Sequence, residues 1–430
     1  MPDSIFALSS APGRAGVAVI RVSGPQAGPC AQALAGPLPA PRQAVLRRLA
    51  WRGAEIDHAL LLWFAAPNSF TGEDVAEFHI HGGRAVREAV FAALSAQGLR
   101  PAEPGEFSRR AVENGKLDLT RAEAIADLVD AETPAQLRQA LRQHDGALAD
   151  LYEGWRMALI AALGRAEAAI DFSDDGVGEA EFAGARRAAL EIVKQIQGHI
   201  DDAGRGESLR EGLRLTILGP PNSGKSSLIN ALARRDVAIV SDTPGTTRDV
   251  VEARLDLGGY LLQVADTAGV RSTSDDIEAE GVRRALAHAG GGMSLLLLDG
   301  SLADPRAGLP ADLPQADLVV WNKSDLGFAR DGISISLKTG AGVSELLKML
   351  QQKVQHKLES GAPALTRPRH RHALTEALAA LRHGLEAPAG HPEFLAEDLR
   401  LATRAIGRIT GRVDVEELLD FVFRDFCIGK

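Results

Sequence analysis

The chain has 430 residues, 45% of them hydrophobic and 24% charged, with a formal net charge of −9. That length suits roughly three domains, each able to bury a core, while the acidic balance excludes a generally basic nucleic-acid coat, so that any RNA contact must be a local patch. Cys30 and Cys427 are the only cysteines, too few for a disulfide framework or a zinc cage and in keeping with a reducing cytosol; no run of about twenty apolar residues predicts a membrane span, and the N-terminus does not read as a secretion signal.

Residues 1–117 carry short mixed patterns. Gly16 to Gly24, His58 to Ala65 and Val75 to His81 read as strands, with alternation that predicts a half-buried sheet, and Arg84 to Gln97 reads as a helix. An α+β domain is expected there. From Thr120 to about Glu207 the composition turns to Ala, Leu, Arg, Glu and Gln with apolar residues at helical spacing, which predicts long packed helices over 118–208. Residues 359–430 are helical again. The nucleotide-binding pattern described next occupies 209–358, so an α/β module of P-loop (Ras-like) type is expected as an insertion in an all-α helical domain.

The stretch Gly219-Pro220-Pro221-Asn222-Ser223-Gly224-Lys225-Ser226 follows the apolar run Leu213–Leu218 and leads into Ser227-Leu228-Ile229-Asn230. This G-x-x-x-x-G-K-S pattern reads as strand, glycine loop and helix, whose backbone N–H groups and helix dipole suit phosphate oxygens. Lys225 is expected on the terminal phosphates and Ser226 on magnesium. Ser241-Asp242-Thr243-Pro244-Gly245-Thr246-Thr247 follows, with Thr247 offering its hydroxyl to magnesium and its N–H to the γ-phosphate. Asp266-Thr267-Ala268-Gly269 comes next, Asp266 suited to the metal's water and the Gly269 N–H to the γ-phosphate. Asn322-Lys323-Ser324-Asp325 ends a further strand, where a carboxylate suits guanine, whose ring N–H and amino group both donate; adenine lacks that pair. Ser336-Leu337-Lys338 backs the base from the other side. The position after Gly269 is Val270, so the water-orienting glutamine of many small GTPases is missing, and the acidic run Asp275, Asp276, Glu278 and Glu280 offers substitutes or a solvated face.

Outside that module the residues resemble a family. Gly13-Arg14, Ile20-Arg21-Val22-Ser23-Gly24, Asn68 to Asp74, His81-Gly82-Gly83, Pro104 to Ala111, Lys116 to Leu119 and the terminal Phe426-Cys427-Ile428-Gly429-Lys430 together resemble the MnmE (TrmE) family of tRNA wobble-uridine modification GTPases, over nearly the whole chain. The resemblance implies an N-terminal folate-binding and dimerisation domain, a split helical domain and an inserted G domain. It implies Glu278 as the water-activating residue, and a potassium ion held by Asn222, Ser241, Thr243 and Thr246. It implies a tetrahydrofolate derivative, 5,10-methylenetetrahydrofolate with 5-formyltetrahydrofolate as analogue, contacted by Arg21, Glu77, Lys116 and Lys430 at a homodimer interface. It also implies an FAD-dependent MnmG-type partner and tRNA as substrate. Thr243-Pro244 before the glycine and Leu337 in place of the usual Ala depart from the commonest pattern. The rival reading is a regulatory RNA- or ribosome-associated assembly GTPase with no modification chemistry.

Three features stay open on sequence. Cys427 suits either a small buried hydrophobe or a catalytic thiol. His79 and His81 share one strand face without a third ligand in view. Arg367, Arg369, His370, Arg371 and His372 form the densest basic cluster, suited to RNA phosphates or to a solvated helix approach.

Overall fold

The computed structural model describes residues 3–172, 176–202, 204–235, 237–239, 251–266, 292–310, 313–328, 330–359, 364–388, 391–413, 416–424, 426–427 and 429. In chain order the first elements are β1 (Ile5–Leu8), β2 (Ala18–Ser23), α1 (Ala27–Ala35), β3 (Val45–Trp51), β4 (Ala54–Phe64), β5 (Val75–Ile80), α2 (Arg84–Ser95) and β6 (Arg100–Pro101). Six helices follow: α3 (Glu106–Glu113), α4 (Leu119–Asp130), α5 (Pro134–His144), α6 (Ala147–Asp171), α7 (Gly176–Ile200) and α8 (Arg205–Glu211). Then come β7 (Leu213–Leu218), α9 (Lys225–Ala233), β8 (Val251–Asp256), β9 (Leu261–Asp266), β10 (Met293–Asp299), β11 (Leu318–Asn322), β12 (Ile333–Ser334) and α10 (Val343–Leu358). The last helices are α11 (Pro368–Leu385), α12 (Pro392–Thr410) and α13 (Glu416–Phe423). The chain divides into two compact units, residues 1–126 with 407–430, and residues 127–406.

The first unit is built on a sheet of order β3-β4-β5-β2-β1-β6, antiparallel except for the β1–β6 pair. Alternation decides its faces, since successive side chains of a strand point to opposite sides. One face buries Ile20, Val22, Phe78 and Ile80 with Ala27, Ala31 and Leu34 of α1 and Val90 and Leu94 of α2. The other carries Ile5 and Ala7 against Phe107 of α3. The C-terminal α13 packs Leu419, Val422 and Phe423 on Leu119 and Ala122 of α4. Beyond it, Gly105 N donates to Cys427 O at 3.3 Å and Ser9 Oγ to Gly429 O at 3.0 Å. Gly429 has φ +100°, and a Cβ there would stand 2.2 Å from Leu8 O, so only glycine lets the tail lie against β1.

A charged network holds α3 in place. Glu106, its side chain 9% exposed, takes a bidentate pair from Arg100 at 2.6 and 2.8 Å and a third bond from Arg110 at 2.9 Å. Arg110 also reaches Asp3 at 2.7 Å and Glu73 at 3.2 Å. Burial alone would raise the Glu106 carboxyl, but the bonds from Arg100, the Glu103 amide and Arg110 more than offset it and hold the group below its ordinary value. Breaking a buried pair leaves its partner uncompensated, so Glu106→Gln is expected to cost about 3 kcal/mol in chemical denaturation. Because the folded value is depressed, the gap between wild type and variant is full well above 4.5, the carboxyl's ordinary value, and shrinks as pH falls below it.

The second unit contains the other sheet, of order β12-β11-β10-β7-β9-β8, parallel except for the β8–β9 pair. Every residue of β10 is buried, as a central parallel strand covered on both faces requires. In such sheets, ligand loops lie outside the carboxyl ends of the strands, here after β7, β9 and β11. Helix α5 starts at a capping box, Thr133 with Gln136, with Pro134 in its first turn. The Ala135 N–H donates to Gly259 O at 2.9 Å in the β8–β9 turn, and Arg254 pairs with Glu132 at 2.7 Å. Helices α6 and α7 bury Tyr152, whose hydroxyl meets His199 Nε2 at 3.2 Å while its ring stacks edge-on with His370 of α11. No helix among the described residues is long and apolar enough to cross a membrane.

Candidate functional site

The loop after β7 is shaped by two glycines. Gly219 has φ +154°, and a Cβ there would lie 2.2 Å from Leu297 O of β10; at Gly224, φ +104°, it would lie 2.4 Å from the Asn322 side-chain amide. Neither position accepts a side chain without moving the strand or amide beside it. Asn222 between them is left-handed at φ +62°. Lys225 opens α9 and its Nζ donates to Gly219 O at 2.7 Å and Pro220 O at 3.0 Å, which holds the ammonium across the loop. Ser226 and Ser227 are exposed in the same first turn, and Ser223 is buried, its hydroxyl without a hydrogen bond among the described residues. A helix N-terminus with an ammonium held across the loop beside it makes an anion site.

The second wall comes from the end of β11. Asn322 Nδ2 donates to Ser223 O at 2.8 Å, and its Oδ1 accepts from the Leu337 N–H at 3.3 Å. One amide therefore ties the phosphate loop to the Ser336-Leu337-Lys338 turn. Lys323 is left-handed at φ +67° and its Nζ pairs with Asp299 Oδ2 at 2.5 Å. Asp325 is exposed and accepts from Ser336 Oγ at 2.7 Å; that bond and the nearby Lys338 and Lys323 hold its carboxyl below the usual range. The arrangement leaves a carboxylate, already ionised and oriented, free to meet paired donors.

Asp299 belongs to this frame and was not among the expected residues. Burial would raise its carboxyl, but bonds from Lys323 and Ser301 prevail and keep it low. Its signal in the sequence is a single charge closing an otherwise uncharged, largely apolar strand, Met293–Asp299, at the carboxyl end where ligands bind. Ser241, Asp242, Thr243, Pro244, Gly245, Thr246, Thr247, Thr267, Ala268, Gly269 and Glu278 lie outside the described residues, as do Val270 and the acidic run around Glu278. Asp266 is described only as the last residue of β9.

In the first unit Arg21 of β2 stands opposite Glu77 of β5, and Arg21 Nε meets Glu77 Oε1 at 2.9 Å. The guanidinium also lies 5.4 Å from the Phe70 ring and 5.7 Å from the Phe107 ring. Their side chains are 22% and 15% exposed, so the pair remains reachable. Lys116 donates to Pro67 O at 2.9 Å, and its stem would crowd any Cβ on Gly72. Lys430 lies outside the described residues. Cys427 is exposed, which corrects the buried-hydrophobe reading, whereas Cys30 is buried and its thiol is pushed up to about 11. His79 Nε2 faces Glu77 at 3.4 Å and His81 Nδ1 faces Asp57 at 2.7 Å.

The basic cluster is mostly committed internally. Arg367 pairs with Asp127 at 2.6 Å, Arg371 with Glu207 at 3.1 Å and Asp202 at 3.3 Å, and His372 with Glu376 at 3.0 Å, while His370 is buried. The ties of Arg367 and Arg371 pin the start of α11 to Asp127 of α4, Glu207 of α8 and Asp202 in the loop before it, and favour a structural role over RNA contact.

Comparison with known proteins gives the family. The family described as the MnmE helical domain matches residues 119–427, and the GTP-binding protein TrmE N-terminus matches residues 4–116. The "tRNA modification GTPase MnmE" of Rhodospirillum rubrum is 54% identical across 100% of this chain and 99% of its own. Those of Paramagnetospirillum magneticum and Phenylobacterium zucineum are 53% and 50% identical, each with full coverage of both chains. Among solved structures, the G domain of the T. maritima FeoB iron transporter covers 34% of this chain at 20% identity and a TM-score of 0.24, a likeness too weak to carry argument. With the Asn322 amide tying the loop after β7 to the turn that carries Ser336 and, through it, Asp325, and half or more of all residues shared with relatives over their whole length, the chain belongs to the MnmE family of tRNA modification GTPases.

Proposed function

We propose that the chain is a potassium-stimulated GTPase which, as a homodimer with an FAD-dependent MnmG-type partner, modifies the wobble uridine of certain tRNAs at C5 with an aminomethyl-derived group, using a tetrahydrofolate one-carbon unit. The observation that carries the nucleotide part is the single Asn322 amide bridging Ser223 O and Leu337 N, which fixes the phosphate loop and the base-facing turn as one frame. Magnesium, when bound, neutralises charge on the phosphates; Ser226 and Thr247 would hold it, and the exposed Ser226 hydroxyl in the first turn of α9 fits that task. Asn222, with its side chain exposed beside the loop, fits a share in a monovalent ion with Ser241, Thr243 and Thr246, since amide and carbonyl oxygens replace such an ion's water shell. Glu278 would activate water. Hydrolysis is expected to be at least about tenfold faster in potassium than in sodium at matched ionic strength, a difference of about 1.4 kcal/mol in barrier. Equal rates would remove the ion from the reading.

The modification part rests on the Arg21–Glu77 pair, a guanidinium and a carboxylate side by side with two aromatic rings. Folate presents carboxylates for the one, as for Lys116 and Lys430, and pterin donors for the other. Arg21→Gln is expected to weaken 5-formyltetrahydrofolate binding, read by titration calorimetry, by about 10- to 100-fold, the worth of one charge-assisted bond. No binding to the wild-type chain would favour an assembly GTPase without modification chemistry.

A further inference from the structure

A cavity of about 370 Å³ lies in the second unit, between α5 and α8 on one side and the β8–β9 turn and the end of α10 on the other. It is remote in sequence from the phosphate loop and from Asn322, and neither contributes to its lining. Its floor is apolar: Leu148 is fully buried, Leu358 is 3% exposed, and Leu209 and Tyr260 complete it. Three arginines, Arg138, Arg142 and Arg205, also line it, with one acidic residue, Glu359.

Arg138 and Arg142 are exposed and Arg205 is half-buried, and none of the three has a carboxylate partner among the described residues. Arg138 and Arg142 are one turn apart on α5, an arrangement of like charges that destabilises a helix. Neither forms an ion pair among the described residues, and the Nε of Arg205 is buried without a hydrogen bond. The chain between Glu359 and Ala364, Ser360-Gly361-Ala362-Pro363, contains no carboxylate that could serve them. Two further polar groups point the same way. Gln143 is 5% exposed and Tyr260 8% exposed, both line the cavity, and neither side chain has a hydrogen bond among the described residues. Their polar atoms keep some exposure, so that a ligand in the cavity can reach them. An enclosed apolar floor with a few convergent polar groups is the form of a small-molecule site, and a guanidinium prefers a planar or tetrahedral oxyanion that accepts two of its bonds.

We propose that this cavity is a second ligand site, which takes a small amphipathic anion: an aromatic or acyl body on the leucines and Tyr260, and one phosphate or carboxylate on the arginines. Gln143 and the Tyr260 hydroxyl receive the polar edge of that body. Because Tyr260 and Leu358 come from the nucleotide-binding half and Arg138, Arg142 and Arg205 from the helices, an occupant bridges the same joint as the Ala135–Gly259 backbone bond.

The test uses the full chain saturated with GDP and magnesium, so that the phosphate loop is blocked. 1-Anilinonaphthalene-8-sulfonate is titrated by fluorescence and calorimetry, with uncharged N-phenyl-1-naphthylamine as control, and displaced by 1-naphthyl phosphate and by 1-naphthoate. One saturable site is expected, and whichever anion displaces at lower concentration identifies the headgroup. The double variant Arg142→Gln/Arg205→Gln should bind the sulfonate at least about tenfold more weakly, about 1.4 kcal/mol, with the uncharged probe unchanged. Should the double variant not fold, exposed Arg142→Gln alone and Ala147→Trp, which fills the cavity, take its place; the second should abolish binding of both probes. Non-saturable binding by the wild type, or the same sulfonate affinity in these variants, overturns the proposal.

Discussion

Lys225→Ala is expected to lower GTP turnover by about 10²–10³-fold at saturating nucleotide, the usual cost of removing one preorganised electrostatic donor from a transition state. The ammonium is held in the loop in part by backbone: Gly219 O and Pro220 O accept from it at 2.7 and 3.0 Å. Those carbonyls bind it weakly enough to yield to a phosphate, and they keep it in the loop until one arrives. Lys225→Arg should not restore the rate, since a guanidinium is a planar fork and cannot take the place of a compact point charge between two carbonyls and a phosphate. The side chain is only half-buried, so thermal stability should stay within about 0.5 kcal/mol of wild type. Phosphate release under single-turnover conditions separates the rate from affinity. A variant within tenfold of wild type would mean that the loop does not cradle the reacting phosphate.

The phosphate loop was legible because each of its positions answers a local backbone demand. Gly219 and Gly224 must be glycine where a Cβ would strike Leu297 O or the Asn322 amide, and Lys225 must open a helix that follows a buried strand. Spacing alone carries that information. The strands β2, β4 and β5 were legible within a few residues for the same reason, since alternation is local. What spacing does not carry is partnership between distant residues. The basic cluster on α11 reads as a phosphate-binding patch until its partners are known, and these lie 240, 169 and 164 residues away at Asp127, Asp202 and Glu207. The exposure of Cys427 likewise depends on the tail lying along Leu8 and Gly105. Asp299 falls between the two cases, because its position at a strand end was visible and its pairing with Lys323 was not.

Asp325→Asn is expected to lower GTP affinity by about 10²–10⁴-fold, two charge-assisted hydrogen bonds at about 1.5–3 kcal/mol each, and to give xanthosine triphosphate the advantage. Guanine presents a ring N–H and an amino group, both donors, to a carboxylate that only accepts. An amide places its own NH₂ against one of those donors. Xanthine carries a carbonyl where guanine carries the amino group, so the asparagine amide donates to it and accepts from the ring N–H. The frame around the base should persist in the variant, because Asn Oδ1 can still accept from Ser336 Oγ as Asp325 does at 2.7 Å, and because Asn322 ties Ser223 to Leu337 without Asp325. Competition of the two nucleotides against a fluorescent GDP analogue measures the switch. Equal weakening for both would mean that the substitution had loosened the turn rather than changed its donor pattern, and no weakening of GTP would remove Asp325 from the base-reading role. The switch depends on the orientation that Ser336 imposes, so Ser336→Ala in the same assay should weaken GTP by less than Asp325→Asn, about 1 kcal/mol for a single neutral donor, and should leave the preference for guanine intact.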